Sequence, residues 1–175
     1  WLALGIESAS EYVRDGVDKE FGQEEIRNTV RGIKDAGISI IGNYIFGLPD
    51  DTHESMQQTL DMSMDLKCEF ANFYSAMAYP GSQLYTIALQ KGWKLPDSWS
   101  GFSQHAEDTL PLPTDHLSAS EVLAFRDKAF QVHFTDPGYL AYVEKRFGAS
   151  TREHIGQMTR HTLKRRYAET TLTGR

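Results

Sequence analysis

Three short segments of this sequence carry polar side chains and glycines that could bind a small molecule. Glu7 and Ser8 follow the apolar run at the start of the chain, Asn43 lies in a second run that ends at Gly47, and a third run ends near Tyr79. A carboxylate and an amide on neighbouring strand ends could accept and donate hydrogen bonds to a diol. Glycines beside them let the backbone approach a flat ligand closely. Each signal is weak alone, because Glu7 could cap a turn and Gly47 could end a strand.

The elements that would position these segments alternate between strands and helices. The predicted strands span residues 1–8, 38–46 and 69–77, and the predicted helices span 23–36, 51–67 and 82–91. This order is typical of parallel βαβ units. Residues 38–46 are apolar on both faces, which favours a strand covered on both sides. In parallel α/β folds ligands bind at the carboxyl ends of the strands, so the three segments should meet there.

The remaining residues predict a loop and then helices. Residues 93–117 contain prolines and aromatic residues and are expected to form a long loop after a first unit of residues 1–92. Residues 118–175 are expected to be helical. Their three helices begin at Ser118 with Glu121, at Asp136 with Pro137, and at Ser150 with Glu153, and the last should reach about Tyr167. A similar start, Asp51 with Glu54, is expected for the helix after the second strand.

Composition narrows the classes of function. The 175 residues carry a formal net charge of −6. The residues from 150 onward have six basic and two acidic side chains, a charge of +4, so the preceding part carries −10. An acidic body argues against a nucleic-acid partner.

The longest nearly apolar run, 38–48, is too short to span a membrane. The single cysteine, Cys68, allows no internal disulfide and no cysteine-rich metal site, and is expected to be a small buried hydrophobe.

Four motifs, in this order, resemble those of the radical S-adenosylmethionine (SAM) superfamily. They are Gly-Ile-Glu-Ser-Ala-Ser at residues 5–10, Ala-Gly-Ile at 36–38, Gly-Leu-Pro-Asp-Asp-Thr at 47–52, and Tyr-Pro-Gly-Ser at 79–82. The resemblance covers about residues 4–85. It implies an α/β fold that is the C-terminal half of a partial (β/α)6 TIM-like barrel, with three βα units and a helical C-terminal extension. The extension resembles that of the branch with an N-terminal cobalamin-binding domain. Relatives commonly have Gly-Glu where this chain has Asp50 and Asp51, which keeps one carboxylate and the expected helix cap.

The resemblance also implies roles for individual residues. Glu7 matches a residue that hydrogen-bonds the SAM ribose, and Asn43 matches a second ribose contact. Lys19 matches a basic position that in some members holds the methionine carboxylate. Ile45 matches a residue that packs on the adenine, and the backbone from Met77 to Tyr79 matches a segment that meets the adenine edge. The expected cofactor-binding set is Glu7, Ser8, Lys19, Asn43, Ile45, Gly47, Met77 and Tyr79.

By resemblance, the complete protein would be a radical SAM enzyme. It would bind SAM beside a 4Fe-4S cluster, generate a 5′-deoxyadenosyl radical and act on a small-molecule substrate, with methyl transfer through cobalamin as a common outcome in that branch. The cluster-binding Cys-x-x-x-Cys-x-x-Cys motif is not in this sequence. The cluster ligands and the cobalamin-binding domain are therefore expected in a missing N-terminal half of the protein. This chain alone is expected to be inactive and to have no catalytic residue or metal ligand of its own. A cytoplasmic location without nucleic-acid partners is expected.

The sequence is also compatible with two other kinds of protein. One is a non-catalytic α/β binding or interaction module, and the other is a different (β/α) barrel enzyme. A cysteine motif upstream of Trp1 would favour the radical SAM reading. The structure offers a second test, because the reading fails if Glu7 and Asn43 point to opposite faces of the sheet.

Overall fold

The computed structural model describes residues 1–16 and 21–167 as a three-stranded sheet with seven α-helices. The elements in chain order are β1 (Leu2–Glu7), α1 (Glu11–Asp15), α2 (Gln23–Asp35), β2 (Ile40–Phe46), α3 (His53–Leu66), β3 (Phe70–Ser75), α4 (Gln83–Lys91), a 3₁₀ helix (Trp99–Phe102), α5 (Ala119–Thr135), α6 (Pro137–Phe147) and α7 (Ala149–Met158). In the described residues the strand order is β1-β2-β3 and both pairs are parallel. The predicted α/β fold, with three βα units and a helical extension, is confirmed.

The main core lies on one face of this sheet. Ile40, Tyr44 and Phe46 alternate along β2 and are fully buried against apolar residues of α2, α3 and α5. The residues between them, Ile41, Asn43 and Ile45, are only half-buried. The prediction that β2 is covered on both faces is therefore wrong for the described part of the chain. An apolar run with β-branched side chains on both faces does not distinguish a second covered face from one that is only partly enclosed.

Helix ends differ from the predicted ones at three places. The cap of α3 is Thr52, which forms a reciprocal capping box with Ser55 rather than the expected pair of Asp51 and Glu54. The cap of α7 is Gly148 and not Ser150. The last helix ends at Met158, about nine residues before the predicted end. The residues after it form an irregular segment, because the buried Arg165 is drawn into bonds with another part of the protein.

A buried carboxylate closes the turn after β2. Asp51 is 1 % exposed, and its Oδ2 accepts hydrogen bonds from the backbone amides of Gly47 at 2.9 Å and Leu48 at 3.0 Å. Its Oδ1 accepts a bond from the Ser55 hydroxyl at 2.6 Å. Burial raises the pKa of Asp51 to about 6. The three hydrogen bonds favour the charged carboxylate and lower the pKa, but their effect is smaller than that of burial. Asp51 thus fixes the turn rather than capping the helix.

The outer edge of β3 is closed by side chains from the C-terminal extension. The Phe73 carbonyl accepts a bond from Nε of Arg126 at 2.8 Å. The amide of Gln104 pairs with both backbone groups of Ser75, accepting from its N–H at 3.0 Å and donating to its carbonyl at 2.9 Å. The Tyr139 hydroxyl donates to the Glu69 carbonyl at 3.2 Å. Side chains therefore take the place of a neighbouring strand along this edge.

Removing the Asp51 carboxylate should weaken the fold. The substitution Asp51→Ala leaves two buried backbone amides without an acceptor, so we expect a loss of about 2–4 kcal/mol in the free energy of unfolding. Asp51→Asn is the matched control, since its amide oxygen can still accept both bonds, and it should cost less than half as much. Urea denaturation of the three proteins at pH 7 checks this. Equal losses for the two variants would contradict the assigned role.

A buried histidine should make stability depend on pH. His133 is 1 % exposed, its Nδ1 lies 3.1 Å from the Ser63 hydroxyl, and its Nε2 has no partner within the described ranges. Burial lowers the pKa of His133 to about 4. Between pH 6.5 and 4 the unfolded chain binds a proton that the folded protein does not, so the histidine costs stability as pH falls. Integrated over that window, the cost is about 3 kcal/mol.

The variant His133→Phe isolates this effect, because Asp51 and every other titrating group is shared with the parent protein. The stability of the parent relative to the variant should fall by about 3 kcal/mol from pH 6.5 to 4, and should stay constant from pH 6.5 to 8. His154→Phe changes an exposed histidine and should leave the parent's profile intact. Denaturation midpoints across this pH range provide the measurement. If the difference in stability between the parent and His133→Phe is the same at every pH, His133 does not cause the pH dependence.

Candidate functional site

Two adjoining cavities lie at the carboxyl ends of the three strands. One has a volume of about 280 Å³ and the other of about 410 Å³, and both are lined by Ile45, Leu48, Ser82 and Leu84. The smaller one is also lined by Glu7, Gly16, Gln83 and Ile87. The larger one is also lined by Tyr74, Ser75, Ala76, Met77, Tyr79 and Gln104. This is the end of a parallel sheet where ligands bind in α/β folds.

Glu7 reaches the smaller cavity through an unusual backbone conformation. The pairing of β1 with β2 shifts register between Gly5 and Glu7, and Glu7 has a φ of 64°, in the left-handed region. Its carboxylate folds back over Gly5, so that a Cβ added at Gly5 would lie 2.6 Å from Glu7 Oε1. The glycine at position 5 leaves room for the carboxylate in this position. Glu7 itself is paired with Tyr44, whose side chain is buried in the core, but its carboxylate returns to Gly5, the register partner of Asn43. Glu7 also lines the same cavity as Ile45, so we infer that its carboxylate reaches the face of the sheet that Asn43 occupies.

Asn43 ties the three strands together on that face. Its Nδ2 donates to the Leu4 carbonyl of β1 at 3.2 Å, and its Oδ1 accepts a bond from Nδ2 of Asn72 of β3 at 2.9 Å. An amide has two donor hydrogens and two acceptor sites. The two bonds use one donor hydrogen and one acceptor site of the Asn43 amide.

The residues expected to meet a flat ring line the cavities. Ile45 is half-buried and borders both of them. Met77 is buried, and Tyr79 is 49 % exposed and stacks on the ring of Phe102 at a centroid distance of 6.1 Å. Both border the larger cavity. The structure thus brings Glu7, Ile45, Met77 and Tyr79 to one connected region.

Asn43, Ser8 and Gly47 of the predicted set are not among the residues that line the two cavities. Ser8 is fully buried, and its hydroxyl lies 3.2 Å from that of Thr59 on α3. Gly47 has a φ of 82°, and a Cβ there would lie 2.4 Å from a methyl group of Val122. It serves the turn and the close approach of α5. Lys19 lies outside the described residues.

Several lining residues were missed in the sequence. Leu48, Ser82 and Leu84 belong to the motifs or follow them directly, so their position next to predicted strand ends was a usable signal. Gln104 is different, because it enters the site from the long loop and no sequence pattern marks it. It holds the end of β3 through Ser75, and its own carbonyl accepts a bond from Arg165 at 2.9 Å.

The donor set suits a ligand with hydroxyl groups and a flat apolar part rather than a metal ion. Across residues 1–16 and 21–167, no group of three histidine, cysteine or acidic side chains is placed to hold a metal. Cys68 is buried just before β3, at the opposite end of the sheet from the cavities, and burial raises the pKa of its thiol. Among the described helices, none has the length and apolar character needed to cross a bilayer.

Comparison with known proteins gives relatives but no matching family model. A Pyrococcus horikoshii protein named an uncharacterized methyltransferase is 29 % identical over 137 residues, which is 78 % of this chain and 29 % of that protein. The anaerobic magnesium-protoporphyrin IX monomethyl ester cyclase of Rubrivivax gelatinosus is 31 % identical over 84 residues, 48 % of this chain and 15 % of the cyclase. The cyclase of the same name from Cereibacter sphaeroides is 27 % identical over 84 residues.

This chain therefore spans less than a third of the length of the curated relatives that it matches. Those relatives are a methyltransferase and two cyclases by name, which supports an enzymatic parent. Together with the motifs and the parallel sheet, the matches support a relationship of this chain to the radical SAM superfamily, over the C-terminal half of its barrel.

Proposed function

We propose that this chain forms the wall of a radical SAM enzyme that holds the ribose and adenine of SAM. The observation that carries the proposal is the shared face of Glu7 and Asn43 at the carboxyl ends of β1 and β2. A binding site needs both side chains on one side of the sheet. The left-handed backbone of Glu7 returns its carboxylate to that side despite the register shift between Gly5 and Glu7.

The described residues fit SAM by their chemistry. The Glu7 carboxylate can accept hydrogen bonds from ribose hydroxyls, as carboxylates do from vicinal hydroxyls. Ile45 and the buried Met77 offer apolar contact to the adenine ring. Lys19 is proposed to pair with the methionine carboxylate.

The reactive chemistry belongs to the cofactors. When bound to a reduced 4Fe-4S cluster, SAM supplies a 5′-deoxyadenosyl radical for hydrogen abstraction. With one cysteine in 175 residues, this chain does not itself supply three cluster ligands. The part played by its own residues is to bind and orient the nucleoside and to enclose it with the apolar side chains Ile45, Leu48 and Leu84.

The reaction outcome is proposed from the relatives. The one with the longest match is named a methyltransferase, which favours methyl transfer, with cobalamin as the methyl carrier held by a domain outside this chain. The cyclases act by name on a magnesium-protoporphyrin ester, which favours a small-molecule substrate. A cluster that must be reduced also favours a cytoplasmic location, since that compartment is reducing.

Glu7→Gln in the complete protein, reconstituted anaerobically with iron and sulfide, tests the proposal. A charge-assisted hydrogen bond is worth about 1.5–3 kcal/mol, so SAM should bind about 10- to 100-fold more weakly. Equilibrium dialysis with radiolabelled SAM measures affinity, and dithionite-dependent formation of 5′-deoxyadenosine measures cleavage.

Glu24→Gln removes an exposed carboxylate from the first turn of α2 and serves as the matched control. It should bind SAM like the parent. If Glu7→Gln and Glu24→Gln bind SAM equally well, Glu7 is not a ribose contact. If the parent protein forms no 5′-deoxyadenosine and binds no SAM, the proposed function itself is rejected.

A further inference from the structure

A third cavity lies outside the outer edge of β3 and is separate from those at the strand ends. Its volume is about 430 Å³. It is lined by His105, Arg126, Asp127, Phe130, Gln131, Met158, Thr159, His161, Thr162 and Leu163. The neighbouring residue Gln104 borders the strand-end cavity instead, so this short stretch of backbone divides the two spaces. A space of this size can hold a small organic molecule.

Two lining residues of this cavity, Arg126 and Asp127, belong to a buried network with an excess positive charge. Its third member is Arg165, which does not line the cavity. Arg126 and Arg165 are each 5 % exposed, and they share one carboxylate, that of Asp127. Arg165 contacts both oxygens of Asp127, at 2.8 and 3.0 Å, and Arg126 contacts one at 2.9 Å. Asp127 is the only acidic residue among those that line the cavity in the described part of the chain. The buried network therefore holds two cations and one anion.

One donor of this network is weakly used. Nε of Arg126 donates to the Phe73 carbonyl and Nη1 to Asp127. Within the described ranges, Nη2 is paired only with Nε2 of His105, at 3.4 Å. Burial and the two neighbouring arginines lower the pKa of His105. Its imidazole is therefore neutral at pH 7 and does not change the net charge of the network. A carboxylate oxygen would be a stronger acceptor for Nη2 than this long contact to a neutral ring.

Part of the cavity wall is apolar. Phe130, Met158 and Leu163 border the cavity, and the ring of Phe130 lies 5.8 Å from the guanidinium carbon of Arg126. A ligand that fits both the charged and the apolar part would have an apolar or aromatic body and an anionic end. Because the network has one excess positive charge, a monoanion balances it better than a dianion.

We propose that this cavity is a binding site for a small organic monocarboxylate, with the carboxylate against Nη2 of Arg126 and the apolar body against Phe130, Met158 and Leu163. The site does not depend on the assignment of the strand-end cavities to SAM. It lies on the C-terminal extension, between α5 and the segment that follows α7.

The experiment compares 4-phenylbutyrate with 4-phenylbutanamide, which has the same body and no charge. Binding to the intact protein that contains this chain is measured by isothermal titration calorimetry at pH 7. The acid should bind at least tenfold more tightly than the amide. Equal affinities, or no binding of the acid at concentrations up to about 10 millimolar, would overturn the proposal.

Two variants locate the site. Leu163→Trp fills the cavity without touching the charged network and should abolish binding of the acid, whereas Leu89→Trp, at an exposed position on α4, should not. Arg126→Gln should remove the preference for the acid, provided that circular dichroism shows a folded protein. If Leu163→Trp binds the acid as the parent does, the ligand lies elsewhere and the proposal is wrong, whatever the outcome for Arg126→Gln.

Discussion

The need to satisfy the backbone groups along the outer edge of β3 organises most of this structure. In the described residues no strand pairs there, and an open edge of buried carbonyls and amides would be costly. Arg126, Gln104 and Tyr139 supply the missing partners from α5, the long loop and α6. The C-terminal extension is thus held to the sheet by hydrogen bonds to the strand itself as well as by the apolar contacts of α5. The same bonds fix the end of β3, which borders the candidate site.

Buried charged side chains play a similar part at the other strand ends. Arg14 is fully buried and donates to the Ser8 carbonyl at 2.6 Å and to the Phe21 carbonyl, which holds the chain after β1. Asp51 accepts the two amides of the turn after β2. Arg165 donates to the carbonyls of Gln104 and Ala106 in the long loop. Each of these three segments is therefore anchored by one buried charge that is hydrogen-bonded to its backbone.

These anchors explain where prediction from sequence succeeded and where it failed. Apolar periodicity and capping patterns predicted the three strands, α2 and the starts of α5 and α6, because these depend on burial and on local hydrogen bonds. The five-residue helix α1 was missed, since its main stabilising residue is the buried Arg14 and an arginine does not register as core. The end of α7 was predicted about nine residues too far along the chain for the same reason, because an arginine such as Arg165 is normally expected on the solvent-exposed face of a helix. Gln104 entered the site unpredicted because its partners, Ser75 and Arg165, are 29 and 61 residues away in sequence.

The conformation of Glu7 bears most directly on function. Two non-glycine residues in the described ranges have a positive φ, Lys67 and Glu7. Lys67 ends α3 in the left-handed conformation, which is a common helix termination. Glu7 ends no helix, and a non-glycine residue in this region costs roughly 1–2 kcal/mol. The same short segment contains a register shift and a glycine at position 5. Together these features turn the Glu7 carboxylate toward the face of the sheet that Asn43 occupies. The left-handed conformation therefore coincides with the residue whose carboxylate lines the smaller strand-end cavity, and the motifs match this same residue to a contact with the SAM ribose.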